Sequence, residues 1–486
     1  MSFAQFVPSH LLAILPEILL LVLAGVLLAI DIFWRKRRRN WLGWVSVAGL
    51  IAILILSVLF SRPEVGFDQP LLFGGVIRHD WPAFSFKIVF LFAAAVTSLL
   101  SLNVQSVSGR GEYFALLIVS TLGMNLMASA ADLIMLFLAI ESTSIPLYIL
   151  AGFIKSDEKS TESGLKYFLF GALTSAVMLY GFSLLYGYSG DTNIYRMASA
   201  IQPGGLSPWV LIGVALLVLV GFAFKIAAVP FHFWSPDVYE GAPTPITAFI
   251  STGSKAAGFA VLVRVMLAAF PSIESYWSLI LAIMAAVTMT LGNLLAIPQQ
   301  NIKRLLAYSS IAHAGYAMIG LVALSIFGAA SLVFYLIGYV VANLAAFSVV
   351  ILFARSAGSE EIADYAGLSR RSPWLALALL VALLSLAGMP PLVGFVGKFY
   401  VFASAVQSGW IWLAFVGVLN AMVGLYYYLT ILKVVYLYRS EEEDKAIAVP
   451  FPYALALVFC IVAIVVIGTV SGPWLNVAIE AAKALF

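Results

Sequence analysis

The sequence predicts an all-α integral membrane protein of about fourteen spanning helices, arranged as two inverted five-helix repeats with interrupted helices seven and twelve. Three observations carry that expectation. Of 486 residues, 63% are hydrophobic and 10% charged, against about 25% charged in an ordinary soluble chain, and the mean hydropathy is +1.04. Apolar runs near the length that crosses a bilayer recur along the whole chain. Two of those runs are broken by Gly and Pro at corresponding places.

The composition excludes a soluble enzyme, whose surface needs far more polar side chains. Lys plus Arg is 26 and Asp plus Glu is 23, a net charge of +3, too balanced for nucleic-acid binding. The single cysteine, Cys460, excludes a disulfide framework, and this chain alone cannot ligate an iron–sulfur cluster. No GxxxxGK[ST], GxGxxG, CxxC or closely spaced His pair occurs, so no recognisable motif binds a nucleotide, redox centre or metal.

The expected spans are 11–34, 41–60, 82–103, 112–130, 132–154, 163–188, 208–232, 245–270, 277–297, 303–325, 328–354, 373–405, 409–437 and 451–470. The longest polar connections are 61–80, 189–207 and 355–372. The start of the chain does not read as a cleaved leader, because no basic residue precedes the first apolar run. The cluster Arg35, Lys36, Arg37, Arg38, Arg39 follows that run instead. By the positive-inside rule it lies in the cytoplasm and both termini lie outside. Alternate loops then put Arg110, Lys155, Lys159, Lys303, Arg304, Arg355, Arg370, Arg371, Arg439 and Lys445 inside, and only Arg62, Arg78, Arg196 and Lys483 outside.

The seventh run contains Gly221 to Pro230 and continues into Phe231-His232-Phe233-Trp234; the twelfth contains Gly388-Met389-Pro390-Pro391 and then Lys398. They are five spans apart, and an odd repeat length inverts the second copy in the membrane. Such breaks free backbone groups that lipid cannot satisfy, so they face protein or water. The expected units are residues 1–110 (helices 1–3), 111–270 (first repeat), 271–440 (second repeat) and 441–486 (the last helix).

Most runs are free of charge, and a charge at the bilayer centre costs about 2.5–3.5 kcal/mol on insertion scales. The exceptions therefore matter. Glu141 lies nine residues after Asp132, about 13 Å into the fifth span at about 1.5 Å per residue. Lys255 and His313 sit similarly deep in the eighth and tenth spans, and Lys225 and Lys398 at the two breaks. Lys166 is shallower, in the sixth. These groups form a polar row in the membrane plane. Lys, His and Glu are side-chain types that desolvation brings toward proton exchange near neutrality, whereas Arg stays charged. His232 beside the first break is expected to serve the row or to satisfy freed backbone groups. Asp132 is expected to cap the fifth helix, Asp237 and Glu240 to shape their loop, and Lys87 and Arg264 to snorkel from span ends.

At this point the residues resemble a family. The stretch from Asp132 through Glu141-Ser142-Thr143-Ser144-Ile145-Pro146 to Phe153 looks like the fifth helix of antiporter-like subunits of respiratory complex I. Phe224-Lys225 through Pro236-Asp237-Val238-Tyr239-Glu240-Gly241-Ala242-Pro243 resembles their broken seventh helix, Lys303 to Gly315 their tenth, and Gly388 to Phe399 their twelfth. The wording of the fifth and seventh stretches favours the N-type branch over the L and M types, and the basic Lys398 and the absence of a lateral helix beyond the last span argue against L. Mrp-type cation/proton antiporter subunits share the helical core and are the alternative.

The resemblance implies proton translocation coupled to quinone reduction elsewhere. Flavin, iron–sulfur clusters and quinone would belong to partner subunits, with no cofactor in this chain, in a bacterial plasma membrane. It implies that Glu141 and Lys225 form a switching ion pair, that Lys166 admits protons from the cytoplasm, that Lys255 is the central relay, that His313 conducts toward the second half, and that Lys398 releases protons outside; His232 lies on the matching motif. Separating Glu141 from Lys225 would remove an attraction of several kcal/mol at low effective dielectric, about 4 kcal/mol at 4 Å and an effective dielectric near 20, freeing the lysine's proton for Lys255.

Overall fold

The structure is a computed structural model and describes residues 10–33, 40–63, 71–201, 206–440 and 445–486. The basic cluster Arg35 to Arg39 lies outside the described residues. Among the described residues thirteen helices are long and apolar enough to cross a membrane. They are Leu15–Phe33, Trp41–Phe60, Trp81–Ser101, Gly111–Ser129, Leu133–Ala151, Glu158–Ser189, Pro208–Ile226, Thr244–Ala269, Pro271–Ala296, Ile302–Val322, Ile326–Ala357, Ile411–Leu437 and Phe451–Thr469. Two shorter apolar helices, Pro373–Ala387 and Val393–Gln407, together occupy the place of the twelfth expected span. Counting that pair as one gives fourteen candidate spans among the described residues, numbered in chain order.

Burial sorts them. The eighth, tenth and eleventh spans are almost wholly enclosed by the others, whereas the first, second and sixth turn most of their apolar surface outward. Outward Leu, Ile and Phe would be costly in water and are ordinary against lipid. Helix ends follow local chemistry. Asp132 caps the fifth span as expected, accepting from Ile134 N at 2.9 Å and Met135 N at 3.2 Å. Asn301 caps the tenth in the same way, accepting from Lys303 N at 2.9 Å.

Helix ends at both Gly- and Pro-containing stretches. The seventh span stops at Ile226 with Ala227 left-handed, and helix resumes over Trp234–Gly241. The first helix of the twelfth span stops at Ala387 with Gly388 left-handed at φ 91°, and helix resumes at Val393. At the first break the Phe224 carbonyl accepts from Ala227 N at 3.0 Å and from Trp234 Nε1 at 3.1 Å. The backbone debt of a broken helix is thus met inside the protein, as a membrane interior requires.

The connections hold structure that the sequence pattern missed. A two-stranded hairpin pairs Leu71–Leu72 with Ile77–Arg78, a short helix covers Ile194–Ala200, and an amphipathic helix, Ser471–Lys483, follows the last span. Two expectations need correction. Lys87 and Arg264 do not snorkel. Lys87 is buried and pairs with Glu17 at 2.7 Å. Arg264 is buried and grips Asp80 through both terminal nitrogens, at 2.9 and 2.8 Å. A long basic side chain that finds a carboxylate on a neighbouring helix gains more than one stretched to the interface.

Candidate proton path

Lys225, Lys255, His313 and Lys398 are buried, with 4, 2, 5 and 6% of their surface exposed. Among the described residues none has a carboxylate partner; each is held by hydroxyls, rings or carbonyls. An ionised group so placed is costly unless hydrogen-bonded, so the partners define what the row can do.

Lys225 ends the seventh span and donates to Ser144 Oγ at 2.5 Å. Ser144 is one helical turn beyond Glu141, which accepts from Ser175 Oγ at 2.7 Å. The direct Glu141–Lys225 ion pair is therefore not made; a serine of the fifth helix takes the ammonium instead. The seventh and eighth spans touch at Gly258, where a Cβ would lie 2.9 Å from Ile226 Cγ2 and 3.2 Å from Lys225 Cβ.

Lys255 follows a π-helical turn, Ile250–Ser254, that shifts the face of the eighth span by one residue; such turns recur at functional sites. Its Nζ donates to the Ser310 carbonyl at 2.8 Å and to Ser310 Oγ, and stands 5.9 Å from the Tyr239 ring centre. Tyr239, on the helix after the first break, meets Ser310 Oγ at 3.2 Å.

Ser310 belongs to the tenth span, and so do His313 and Tyr316, at a spacing of three that keeps neighbours on one side. His313 Nδ1 meets Tyr335 Oη at 2.6 Å, and Nε2 meets Tyr428 Oη at 3.2 Å. Tyr428 in turn pairs with Ser309. Tyr316 lies under Lys398, whose Nζ is 4.8 Å from the ring centre, a cation–π distance. Lys398 also donates to the carbonyls of Leu386 and Ala387, at 3.0 and 2.9 Å, which the second break has freed. One helix therefore carries the partners of Lys255 and Lys398 with His313 between them.

Two expected residues lie apart from this row. Lys166 is about one-third exposed at the end of the bundle where the tenth span begins, paired with Glu162 and Asp237, both at 2.6 Å. Arg304 joins the same cluster through Asp237 at 2.8 Å and Glu240 at 3.0 Å, and Lys159 reaches Glu240 at 2.9 Å. Asp237 and Glu240 thus bind three elements together as well as shaping a loop. Burial raises the pKa of both carboxyls, but Lys166 with Arg304, and Lys159 with Arg304, outweigh it and hold them below the usual range. A cavity of about 190 Å³ opens among Lys159, Lys166, Asp237 and Arg304. His232 is buried, its Nδ1 makes no hydrogen bond, and its ring lies against Phe233.

Sequence reasoning missed Ser144, Tyr239, Ser310, Tyr316, Tyr335 and Tyr428. Ser310-His313-Tyr316 carried a signal in its spacing. The others carried none, because an intramembrane Ser or Tyr is common and only its neighbours make it functional. Among the described residues no group of three or more His, Cys, Asp or Glu converges, and the one cysteine is buried alone.

Comparison with known proteins gives a consistent set of matches. Residues 130–424 match the family described as NADH:quinone oxidoreductase/Mrp antiporter, transmembrane. The chain is 45% identical to NADH-quinone oxidoreductase subunit N of Moorella thermoacetica, over 98% of this chain and 99% of that protein. It superposes on a chain of respiratory complex I from Thermus thermophilus with a TM-score of 0.78 and 35% identity, covering 95% of this chain and 98% of the other. A chain of the Mrp complex from Dietzia sp. DQ12-45-1b shares the fold at a TM-score of 0.84, with 21% identity over 99% and 98% of the two chains.

Proposed function

The chain belongs to the NADH:quinone oxidoreductase/Mrp antiporter transmembrane family, in its NADH-quinone oxidoreductase subunit N branch, and we propose that Lys225, Lys255, His313 and Lys398 are the stations by which it moves protons. It is a multi-pass membrane protein and one subunit of a multi-subunit complex. The single observation that carries the proposal is the tenth span. It joins Lys255 to Lys398 through Ser310, His313 and Tyr316, a run of exchangeable groups along one buried helix.

Protons are admitted at the Lys166–Asp237–Arg304 cluster. Glu141 biases Lys225 electrostatically from one turn away. In the state described, Ser144 takes up the Lys225 ammonium; movement of the end of the seventh span, before the first break, would bring Lys225 toward Glu141 or release it. Buried atoms without a protein partner, Ser254 Oγ, Ser235 Oγ and His232 Nδ1, mark positions near Lys255 where water would complete the path. His313 bonds two tyrosines at once, so it can take a proton on one nitrogen and give one from the other. Lys398, held by two carbonyls at a break, delivers the proton outside. The two five-helix units, 111–270 and 271–440, would be inverted repeats, each with its own break. Both termini lie outside a bacterial plasma membrane. Flavin, iron–sulfur clusters and quinone belong to partner subunits, whose electron transfer drives the cycle.

A Mrp-type cation/proton antiporter subunit is the second reading, favoured by the shared fold. Gentle purification separates the two: flavin and iron–sulfur subunits accompany the chain on the first, and a set of small membrane subunits alone sinks it. The relay itself is tested with Glu141→Ala and Lys225→Ala made separately. Unchanged proton pumping per electron in both, with the complex assembled, would make these residues structural.

A further inference from the structure

We propose that the Asp80–Arg264 pair seals the end of the eighth span beyond Lys255, so that a proton on Lys255 leaves sideways toward His313 and not along its own helix. The inference rests on the relay reading above.

Lys255 and Arg264 share one helix, nine residues or about 13 Å apart. Every residue between them is apolar and buried: Ala256, Ala257, Gly258, Phe259, Ala260, Val261, Leu262 and Val263. Beyond this stretch stands Arg264, which stays charged at any working pH. A fixed cation beyond a dry apolar stretch adds an electrostatic barrier to protons and cations, as charged groups do in selective pores.

Asp80 holds Arg264 in place and is itself fully committed. It caps the third span by accepting from Ala83 N at 3.0 Å, takes two hydrogen bonds from Arg264, and pairs with Arg78 Nε at 3.0 Å. Burial raises its pKa, but Arg264 and Arg78 outweigh that and keep it a carboxylate, so it is a poor proton acceptor. Arg264 also reaches the Tyr195 hydroxyl, and Arg78 lies over the Tyr195 ring at 4.3 Å while donating to the Ala484 carbonyl at 2.9 Å. Three connections and the C-terminal segment converge here. Ala131 N bonds Val76 O at 2.9 Å, Ile194 N bonds Ala131 O at 2.9 Å, and Asn193 Nδ2 bonds Gly75 O at 2.8 Å. The result is a backbone lid over the end of the eighth span.

Stability alone is a weak reason for such a pair. A buried salt bridge repays its desolvation poorly, and an apolar replacement of both partners is often neutral or stabilising. A seal needs the charges themselves. The opposite end of the same span differs: there the Lys166 cluster borders an open cavity.

The test uses the assembled complex in sealed vesicles, with Arg264→Gln, Arg264→Lys, and the double apolar variant Asp80→Leu/Arg264→Met. NADH-driven quinone reduction is expected to persist. The proton gradient is expected to dissipate several-fold faster in Arg264→Gln and the apolar double, and less in Arg264→Lys, which keeps the charge but loses the fork. Adding Lys255→Ala to Arg264→Gln should abolish the extra leak, because the leaking proton passes through Lys255. A tight gradient and normal pumping in Arg264→Gln and the double variant would overturn the seal, and so would failure of every variant to assemble, which would make the pair a fold element. Normal pumping in Lys255→Ala alone would overturn the relay reading instead.

Discussion

Lys225 donates to Ser144 at 2.5 Å and so sits one helical turn from Glu141 instead of against it. Ser144 passes its own hydrogen to the Ile140 carbonyl at 2.5 Å. The ammonium is thus parked on a neutral hydroxyl, within reach of a carboxylate that another serine, Ser175, occupies.

Replacing Ser144 removes that partner. Ser144→Ala leaves a buried ammonium short of an acceptor, at a cost of about 1–3 kcal/mol. We expect a lower melting temperature and fewer protons pumped per electron, with Ser144→Thr recovering much of both. Equal pumping in Ser144→Ala and the parent would remove the serine from the path.

Two glycines set the approach of lysines to their neighbours. At Gly258 a methyl would press on Ile226 and on Lys225 Cβ. At Gly388 it would meet Lys398 Cδ at 2.9 Å on a residue whose φ is +91°, a conformation costing about 1–2 kcal/mol for any residue with a Cβ. Gly388→Ala is expected to depress pumping more than electron transfer, and Gly258→Val to lower stability by about 1–3 kcal/mol through overpacking. Thermal melts and proton-to-electron ratios on the same preparations check both; unaltered values in Gly388→Ala would mean that Lys398 is not positioned by this turn.

Acid should loosen the lid near Asp80. Burial, then repulsion from Lys87, lower the His79 pKa from 6.5 to about 4, with Asp80 offsetting only part. The unfolded chain takes up this proton near pH 6.5 and the folded chain only near pH 4, so the unfolded state binds more protons in between. Stability is therefore expected to fall as pH drops through that window, and His79→Asn should flatten the decline. Superimposable melting curves from pH 7 to pH 4 for the two proteins would refute it.

The Lys166 cluster should matter for rate more than for stability. Asp237→Asn weakens pairs to Lys166 and Arg304, and partly exposed pairs contribute about 0–1 kcal/mol. Stopped-flow proton uptake is expected to slow, and to become less sensitive to salt, while the melting temperature barely moves. A large stability loss with normal uptake would assign the cluster to structure.

Much of the architecture was legible because lipid is a demanding solvent. Runs such as Ile411–Leu437 have no other stable home, and a Gly-Pro break such as 388–391 has few. Glu141, Lys225, Lys255, His313 and Lys398 stood out for the same reason: a charge amid apolar residues needs an explanation. What failed was partner assignment. Glu141 and Lys225 read as an ion pair, yet Ser144 intervenes. Arg264 and Lys87 read as snorkelling, yet Asp80 and Glu17 come from distant loops and helices to meet them. Ser310 and Tyr316 drew no notice at all.

The sequence by itself determined that this is a membrane protein, where its helices run, and which few side chains carry charge into the interior. These follow from local transfer energies, which each segment meets alone. Only the tertiary structure decided that the tenth span joins Lys255 to Lys398, and that Asp80 closes on Arg264 from 184 residues away. Contacts between helices depend on which small residues let backbones approach and which polar groups find each other, and no single segment encodes that choice.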